Sequence, residues 1–247
     1  MTDTMIEQTF DEQLHERYRH ARVAGPAGLS VETGAVVVLR YDDVERLSHD
    51  PRLAGVGLSI FDLIGVGDGP LRTWYSSLMF TNEGDAHHRL RRLAARVFTP
   101  RSVERHRELA ARLTAERLDR LVDHGGGDLV EALADVPITV ICTLIGVPDE
   151  QIPTFLAYGD ALSPVFGLMD ADQIETAEDA VVGLTADVEA MIATRLEQRG
   201  DDLISALLDA EEAGDRLTHD EVVTMVGNLI VGGHDTTSGQ VSCTLLT

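Results

Sequence analysis

The sequence predicts a mainly α-helical fold with one small β-sheet, and two observations lead to that prediction. Apolar residues recur at helical spacing through almost all of the chain beyond Asp85. By contrast, the β-branched run at residues 35–40 is the best strand signal, and residues 29–32 could pair with it as a hairpin. Neither an internal repeat nor an interdomain linker interrupts the 247 residues, so a single domain over residues 1–247 is expected.

Helices are predicted wherever apolar spacing runs between glycine and proline stops. The predicted helices span residues 8–23, 41–49, 85–97, 101–123, 128–145, 149–166, 172–199 and 201–211, and one more begins near residue 219. Between residues 52 and 84 the pattern dissolves into glycines, scattered apolar side chains and the single tryptophan, Trp74. This stretch is too apolar for a solvated linker, so a substrate-facing loop is favoured over a packed structural loop.

Charge and cysteine content limit the classes of function. The formal net charge is −22, which argues against binding to nucleic acid or to anionic membranes. Two cysteines, Cys142 and Cys243, lie in separate apolar stretches, so neither a disulfide framework nor a cysteine metal cluster is expected. The N-terminal residues lack a signal-peptide pattern, and no apolar run is long enough to span a membrane. A cytoplasmic protein is predicted.

The last thirty residues combine a helix start with residues that oppose a helix. Thr218 and Glu221 form a capping-box pattern ahead of apolar residues at helical spacing. Gly232 and Gly233 would each cost the helix about 1 kcal/mol relative to alanine. A single face would nevertheless present an apolar surface, a notch without side chains and a hydroxyl. The residues of that face are Met225, Leu229, Gly232, Gly233, Thr236 and Gln240.

The local pattern leaves three interpretations of this notch open. A flat ligand could lie against it, the glycines could let a neighbouring helix approach, or the apolar run could be a strand that ends in a loop. A metal site at His234 and Asp235 is disfavoured, because adjacent helical residues diverge by about 100°. Phosphate-binding, dinucleotide-binding, zinc-protease and serine-hydrolase motifs do not occur.

A second group of residues lies on the predicted arginine-rich helix at 85–97. His87 and Arg91 are four residues apart and border its apolar strip, where they could bind ligand carboxylates. Arg89, Arg92 and Arg96 share the opposite side and could attract an acidic protein partner. Alternatively, Arg91 pairs with a carboxylate of this chain, His87 packs or caps, and the other arginines form a solvated basic face.

Three motifs in this order resemble the cytochrome P450 family in its bacterial, soluble form. VGGHDTTSG resembles the family's central distal-helix motif, and HHRLRRLAARVFTPR resembles its HxxxR helix. GAVVVLRYDDVERLSHDPRL resembles the N-terminal strand pair and the helix after it. The resemblance covers the whole chain and implies the N-terminal and distal part of the P450 catalytic domain.

The resemblance implies a role for each matching residue around a b-type haem that a cysteine ligates in the complete protein. Gly232 and Gly233, with Leu229 beside them, would let the helix pass close over the distal haem face. Thr236 would hold dioxygen by its hydroxyl, and Asp235 would relay protons. His87 and Arg91 would bind the haem propionates, and the region from Leu58 to Phe80 would contribute to the substrate pocket.

The implied activity is that of a haem-thiolate monooxygenase. It would insert one oxygen atom into a hydrophobic small molecule, with electrons from NAD(P)H through a ferredoxin-type partner that binds near Arg89, Arg92 and Arg96. The ExxR helix and the loop with the proximal cysteine are not in this sequence, and neither Cys142 nor Cys243 matches the ligand pattern. The chain is therefore expected to be a truncated part, inactive without the proximal segment. The competing hypothesis is a haem-free helical protein that binds hydrophobic ligands or serves as an accessory protein.

Overall fold

The computed structural model describes residues 5–6, 13–31, 34–212 and 214–245, except for the side chains of residues 5, 6, 101, 211, 212, 235 and 245. Contacts divide the chain into two compact units, Met1–Gly55 and Val56–Thr247. The predicted fold class, mainly helical with a small sheet, is confirmed. The single domain over residues 1–247 stays a prediction. None of the described helices is long and apolar enough to cross a membrane.

The first unit contains a small sheet beside two helices. Its elements are β1 (Met5–Ile6), α1 (Leu14–Ala24), β2 (Ala27–Ser30), β3 (Val36–Val38) and α2 (Tyr41–Ser48). The predicted hairpin is confirmed, because β2 pairs antiparallel with β3 and Leu29 lies opposite Val36. Gly34 lies between these strands with φ +67°, a conformation that favours glycine. The parallel pairing of β1 with β2 was missed, since a two-residue strand has no recognisable periodicity.

The second unit is almost entirely helical. Its first helices are α3 (Ser59–Ile64), α4 (Pro70–Ser77), α5 (Gly84–Val97), α6 (Pro100–Glu104), α7 (Arg107–Asp123), α8 (Leu129–Leu133) and α9 (Val136–Ile145). It continues with α10 (Ile152–Leu162), α11 (Ala171–Glu197), α12 (Leu203–Asp209), β4 (Glu211–Glu212), β5 (Asp215–Arg216) and α13 (His219–Leu245). Short 3₁₀ turns lie at Met79–Thr81, Asp149–Gln151 and Ser163–Phe166.

The prediction of a long irregular loop between residues 52 and 84 is wrong. This stretch forms α3, α4 and a 3₁₀ turn, and several of its large apolar side chains lie in the main core, although Leu63 and Phe80 are exposed. Phe61 and Leu71 are fully buried, and Trp74 is 7% exposed. Burial of such side chains stabilises short helices that local periodicity does not reveal. Whether the stretch faces a substrate stays a prediction.

Prolines divide two of the predicted long helices. Pro137 lies in the first turn of α9, so the predicted helix at 128–145 becomes α8 and α9. Pro153 and Pro164 likewise begin new helical segments within the predicted helix at 149–166. Proline lacks an N–H donor and is tolerated in a first turn but not in a helix interior. The helix predicted at 101–123 is divided into α6 and α7.

The central element is α13, a helix of 27 residues that continues through both glycines. The predicted capping box is confirmed: the Thr218 N–H donates to Glu221 at 2.8 Å, and the Glu221 N–H donates to the Thr218 hydroxyl at 3.2 Å. Val222, Val226 and Ile230 are buried along one side of α13 in the main core. That core includes α9, α10 and α11, so tertiary packing compensates for the unfavourable residues within α13.

A charged cluster on Arg89 connects α5 to the start of α13. The Arg89 guanidinium donates to both Asp215 carboxylate oxygens at 2.7 and 2.9 Å and to the Arg216 carbonyl at 2.8 Å. It also donates to Glu221 at 2.5 Å. Asp215 belongs to β5, which pairs with β4 in a short hairpin that the sequence did not predict. Arg89 is therefore engaged in internal ion pairs, and its predicted role in binding a partner stays a prediction.

The charged cluster should make stability depend on acid pH. Hydrogen bonds from Arg89 lower the pKa of Asp215. Burial opposes ionisation of Glu221, but the bonds from Arg89 and Thr218 outweigh it, so the pKa of Glu221 is also lowered. A carboxylate with a lowered folded-state pKa stabilises the fold above its unfolded pKa, and that stabilisation is lost as pH falls through the folded value.

We therefore expect Arg89→Gln to lower the midpoint of thermal unfolding at pH 7 by about 3–6 °C. The difference from the unsubstituted chain should shrink as pH falls below about 4, where the carboxylates protonate. Circular dichroism melts across this range measure both effects. Arg107→Gln removes only an exposed pair with Glu104 and serves as the control. A difference for Arg89→Gln that is the same at pH 3 and pH 7 would contradict this account.

Candidate functional site

The two glycines of α13 have different surroundings. A Cβ placed on Gly232 would meet nothing within 4 Å, so the helix surface there is open. A Cβ on Gly233 would lie 3.3 Å from Ile141 on α9, which is tighter than ordinary van der Waals contact. Gly233 thus allows the close helix approach that the sequence left as an alternative, whereas Gly232 forms the open notch. Contact of Gly233 with a ligand stays a prediction.

Thr236 lies one helical turn beyond the notch, and its side chain is exposed. Its hydroxyl donates to the Gly232 carbonyl at 2.6 Å. This bond uses the single hydroxyl proton, so the oxygen lone pairs of Thr236 are left to accept a hydrogen bond from a ligand. Such a bond to the carbonyl four residues earlier also fixes the side chain relative to the notch.

The remaining residues of the predicted α13 face do not all lie at an accessible surface. Met225 is 3% exposed and belongs to the main core. Leu229 is partly buried and packs against that core. The side chain of Asp235 lies outside the described part of the structure, so its predicted role in proton transfer is untested.

His87 and Arg91 occupy one side of α5, as predicted, and differ in their partners. His87 is half-buried, and its Nδ1 lies 3.0 Å from the Met79 carbonyl, a contact that fixes the orientation of the imidazole ring. Arg91 is exposed and makes no hydrogen bond or ion pair with any described residue. Every other arginine with a described side chain in residues 56–247 has such a bond or an electrostatic partner.

The unpaired Arg91 is unusual in a chain with 42 acidic and 20 basic residues. A guanidinium in such a surplus of carboxylates would normally gain from pairing with one of them. The alternative that Arg91 pairs with a carboxylate of this chain is therefore not supported by the described residues. The side chain retains all of its donors for a ligand, and carboxylates match its planar geometry.

The structure brings α5 and the first half of α13 together. Beside the ion pair between Arg89 and Glu221, Leu90 of α5 and Met225 of α13 line one cavity of about 90 Å³. Met79, whose carbonyl contacts His87, lines the same cavity. The helix that carries His87 and Arg91 is thus fixed to the helix that carries Gly232 and Thr236.

Comparison of the sequence and the fold with known proteins identifies the family of this chain. The family model described as Cytochrome P450 matches residues 168–247. Cytochrome P450 107B1 of Saccharopolyspora erythraea is 33% identical over 242 residues, covering 94% of this chain and 58% of that protein. The chain belongs to the cytochrome P450 family.

Further P450 relatives agree in coverage and fold. The P450 monooxygenase PikC of Streptomyces venezuelae is 33% identical, with 93% of this chain and 55% of PikC covered. The solved structure of the P450 CYP109Q5 from Chondromyces apiculatus has a TM-score of 0.79 at 24% identity and covers 95% of this chain and 58% of that one. The open form of the P450 EryK from S. erythraea has a TM-score of 0.75 at 26% identity, covering 94% and 57%. The chain thus spans less than two thirds of these relatives.

A P450 holds its haem iron with a cysteine thiolate, and the two cysteines of this chain have different surroundings. Cys142 is fully buried in α9, and burial raises the pKa of its thiol to about 12. Cys243 is exposed near the end of α13. Among the described side chains, no group of three His, Cys, Asp or Glu residues could hold a metal ion. That neither cysteine ligates the iron stays a prediction.

Sequence reasoning missed two side-chain bonds that hold α10. His234 is 6% exposed, and its Nε2 lies 2.8 Å from Asp160. The His234 ring also packs against Gly159, where an added Cβ would lie 3.3 Å from the ring. On α10 as well, the Tyr158 hydroxyl donates to Asp187 of α11 at 2.9 Å. These partners lie 74 and 29 residues apart in the chain, so no local pattern could reveal them.

Proposed function

We propose that this chain forms the distal and propionate-binding side of a haem-thiolate monooxygenase. The complete enzyme would insert an oxygen atom from dioxygen into a hydrophobic small molecule, with electrons from NAD(P)H through a ferredoxin-type protein. The observation that carries the proposal is the unpaired Arg91, one turn from His87, in a chain of the P450 family. A cytoplasmic location is part of the same proposal.

The residues present fit a haem. Its two propionates require donors. Arg91 offers a guanidinium without a partner among the described residues, and His87, whose Nδ1 faces the Met79 carbonyl, would donate from Nε2 as an imidazolium. Its flat face requires a helix surface without side chains, and no atom lies within 4 Å of a Cβ placed on Gly232. We propose that these three residues hold the group, with Leu229 and Gly233 beside it.

The haem would supply oxygen activation and electron transfer when bound, and the protein would supply orientation and protons. The Thr236 hydroxyl donates to the Gly232 carbonyl, so its oxygen would accept a hydrogen bond over the notch. Asp235 would deliver protons from solvent to this hydroxyl as a general acid. The cysteine ligand would be a residue other than Cys142 and Cys243, and without it we propose that the chain is inactive.

Replacing Arg91 should weaken haem binding. Arg91→Leu removes charge-assisted bonds to a propionate, so we expect the dissociation constant for haem to rise roughly tenfold or more. Absorbance titration of the chain with haem measures this constant. Arg112→Leu, which removes an exposed arginine paired with Glu116, should leave it unchanged. No haem binding by the unsubstituted chain, or equal binding by Arg91→Leu, would refute the assignment and favour a haem-free binding protein.

Replacing Thr236 should divert electrons from product formation to hydrogen peroxide. In the complete, haem-loaded protein supplied with NADPH and a reductase, Thr236→Ala should release several-fold more hydrogen peroxide per NADPH, because the ordered hydroxyl is lost. Thr237→Ala removes the neighbouring exposed hydroxyl and is the matched control. Peroxide and product are quantified together. If the two variants release the same amount as the parent, Thr236 does not have this role.

The redox partner is proposed to bind near Arg92 and Arg96, which are exposed on α5. In the complete, haem-loaded protein, double replacement by glutamine should slow reduction by an acidic ferredoxin several-fold at low ionic strength. Added salt should reduce the difference because it screens charge. Stopped-flow reduction at two salt concentrations measures this. Arg120→Gln on α7 is the control. If the double variant is reduced at the same rate as the parent, these arginines do not bind the partner and only form a solvated surface.

A further inference from the structure

Asn228 lies in the same row of α13 as the notch. It precedes Gly232 by four residues and Thr236 by eight, and residues four apart are neighbours along one helix face. Successive members of such a row are separated by about 6 Å along the axis. A molecule that lies over Gly232 can therefore reach Asn228 without leaving this face.

The amide of Asn228 has no hydrogen-bond partner among the described residues. Its Oδ1 is buried, yet no donor lies within bonding distance of it. The residue as a whole is partly exposed, so the rest of the side chain reaches accessible space. A buried amide oxygen without a partner destabilises the folded state, because its hydrogen bonds to water are lost and not replaced.

The polar amide of Asn228 lies among apolar neighbours on α13. Val226, Ile230 and Val231 are buried apolar residues, and Leu229 packs against the same core. Asparagine is also a weaker helix former than leucine. An apolar side chain at position 228 would suit both the helix and the core, so stability does not account for the amide. Buried polar groups are nearly always hydrogen-bonded, so the Asn228 amide calls for a partner from outside the chain.

We propose that Asn228 determines specificity by binding a hydroxyl group of an otherwise apolar substrate; this inference rests on the proposed function. A hydroxyl can donate to Oδ1 and accept from Nδ2 at once, which satisfies both halves of the amide. The oxidised carbon would lie over Gly232, one turn away along the row. The substrate is therefore a hydroxylated hydrocarbon skeleton whose hydroxyl lies about 6 Å from the carbon that is oxidised.

The single tryptophan gives a readout beside this position that needs no haem. Trp74 of α4 lies against α13 next to Asn228, because its indole Nε1 is 3.0 Å from a Cβ placed on Gly227. A ligand at Asn228 should change the emission of Trp74. Binding can then be measured on the haem-free chain, separately from the haem titration.

The test compares cyclododecanol with its methyl ether, which lacks the donor. The unsubstituted chain should bind the alcohol roughly tenfold more tightly than the ether, because one buried oxygen stays unpaired with the ether. Asn228→Leu should abolish this preference and leave haem uptake unchanged. Gln198→Leu exchanges an exposed amide at the end of α11, away from this row, for the same side chain and should keep the preference.

Thermal unfolding separates recognition from a structural role. Asn228→Leu should unfold at the same temperature as the parent or higher, since an unpaired amide is replaced by an apolar group. A lower midpoint, a preference that survives in Asn228→Leu, or equal or absent binding of both probes by the parent would overturn the inference. If instead the unsubstituted chain takes up no haem but still prefers the alcohol, the proposed function is refuted and Asn228 remains a hydroxyl-binding residue.

Discussion

The guanidinium of Arg89 is where three segments of the helical unit meet. It bonds to Asp215 on the short hairpin, to Glu221 on α13 and to the Arg216 carbonyl. Glu221 also closes the capping box with Thr218, so one carboxylate both starts the central helix and holds it to α5. The relative placement of the helix with Arg91 and the helix with Gly232 depends on this cluster. Because Arg89 is 29% exposed, its charge is only partly screened by solvent.

Fixing α5 by Arg89 leaves the opposite side of that helix for a ligand. His87 is oriented by the Met79 carbonyl, and Arg91 projects from the next turn without a partner among the described residues. On α13, too, a packing residue lies beside an accessible one: Gly233 packs against Ile141, whereas the surface at Gly232 is open. In both helices, one residue secures the packing and a nearby residue stays accessible. A site assembled in this way is held rigid by contacts that the ligand does not have to provide.

Local sequence patterns predicted those elements whose cause is local. The capping box at Thr218, the hairpin around Gly34 and the amphipathic helix α5 depend on residues only a few positions apart. The helices at residues 59–77 escaped prediction because packing of Phe61 and Trp74 in the core stabilises them. The ion pairs of Arg89 span more than a hundred residues, so helical spacing alone placed that side chain on an outward face. The unpaired amide of Asn228 is likewise visible only when all of its surroundings are known.

The bonds that hold α10 limit how that helix can move. Tyr158 and Asp160 are two residues apart, so their side chains leave α10 on nearly opposite sides, one towards α11 and the other towards α13. Either a rotation of α10 about its own axis or a translation along it would lengthen both bonds. The two bonds therefore fasten α10 to a neighbour on each side, and separating α10 from α11 or α13 would have to break one of them.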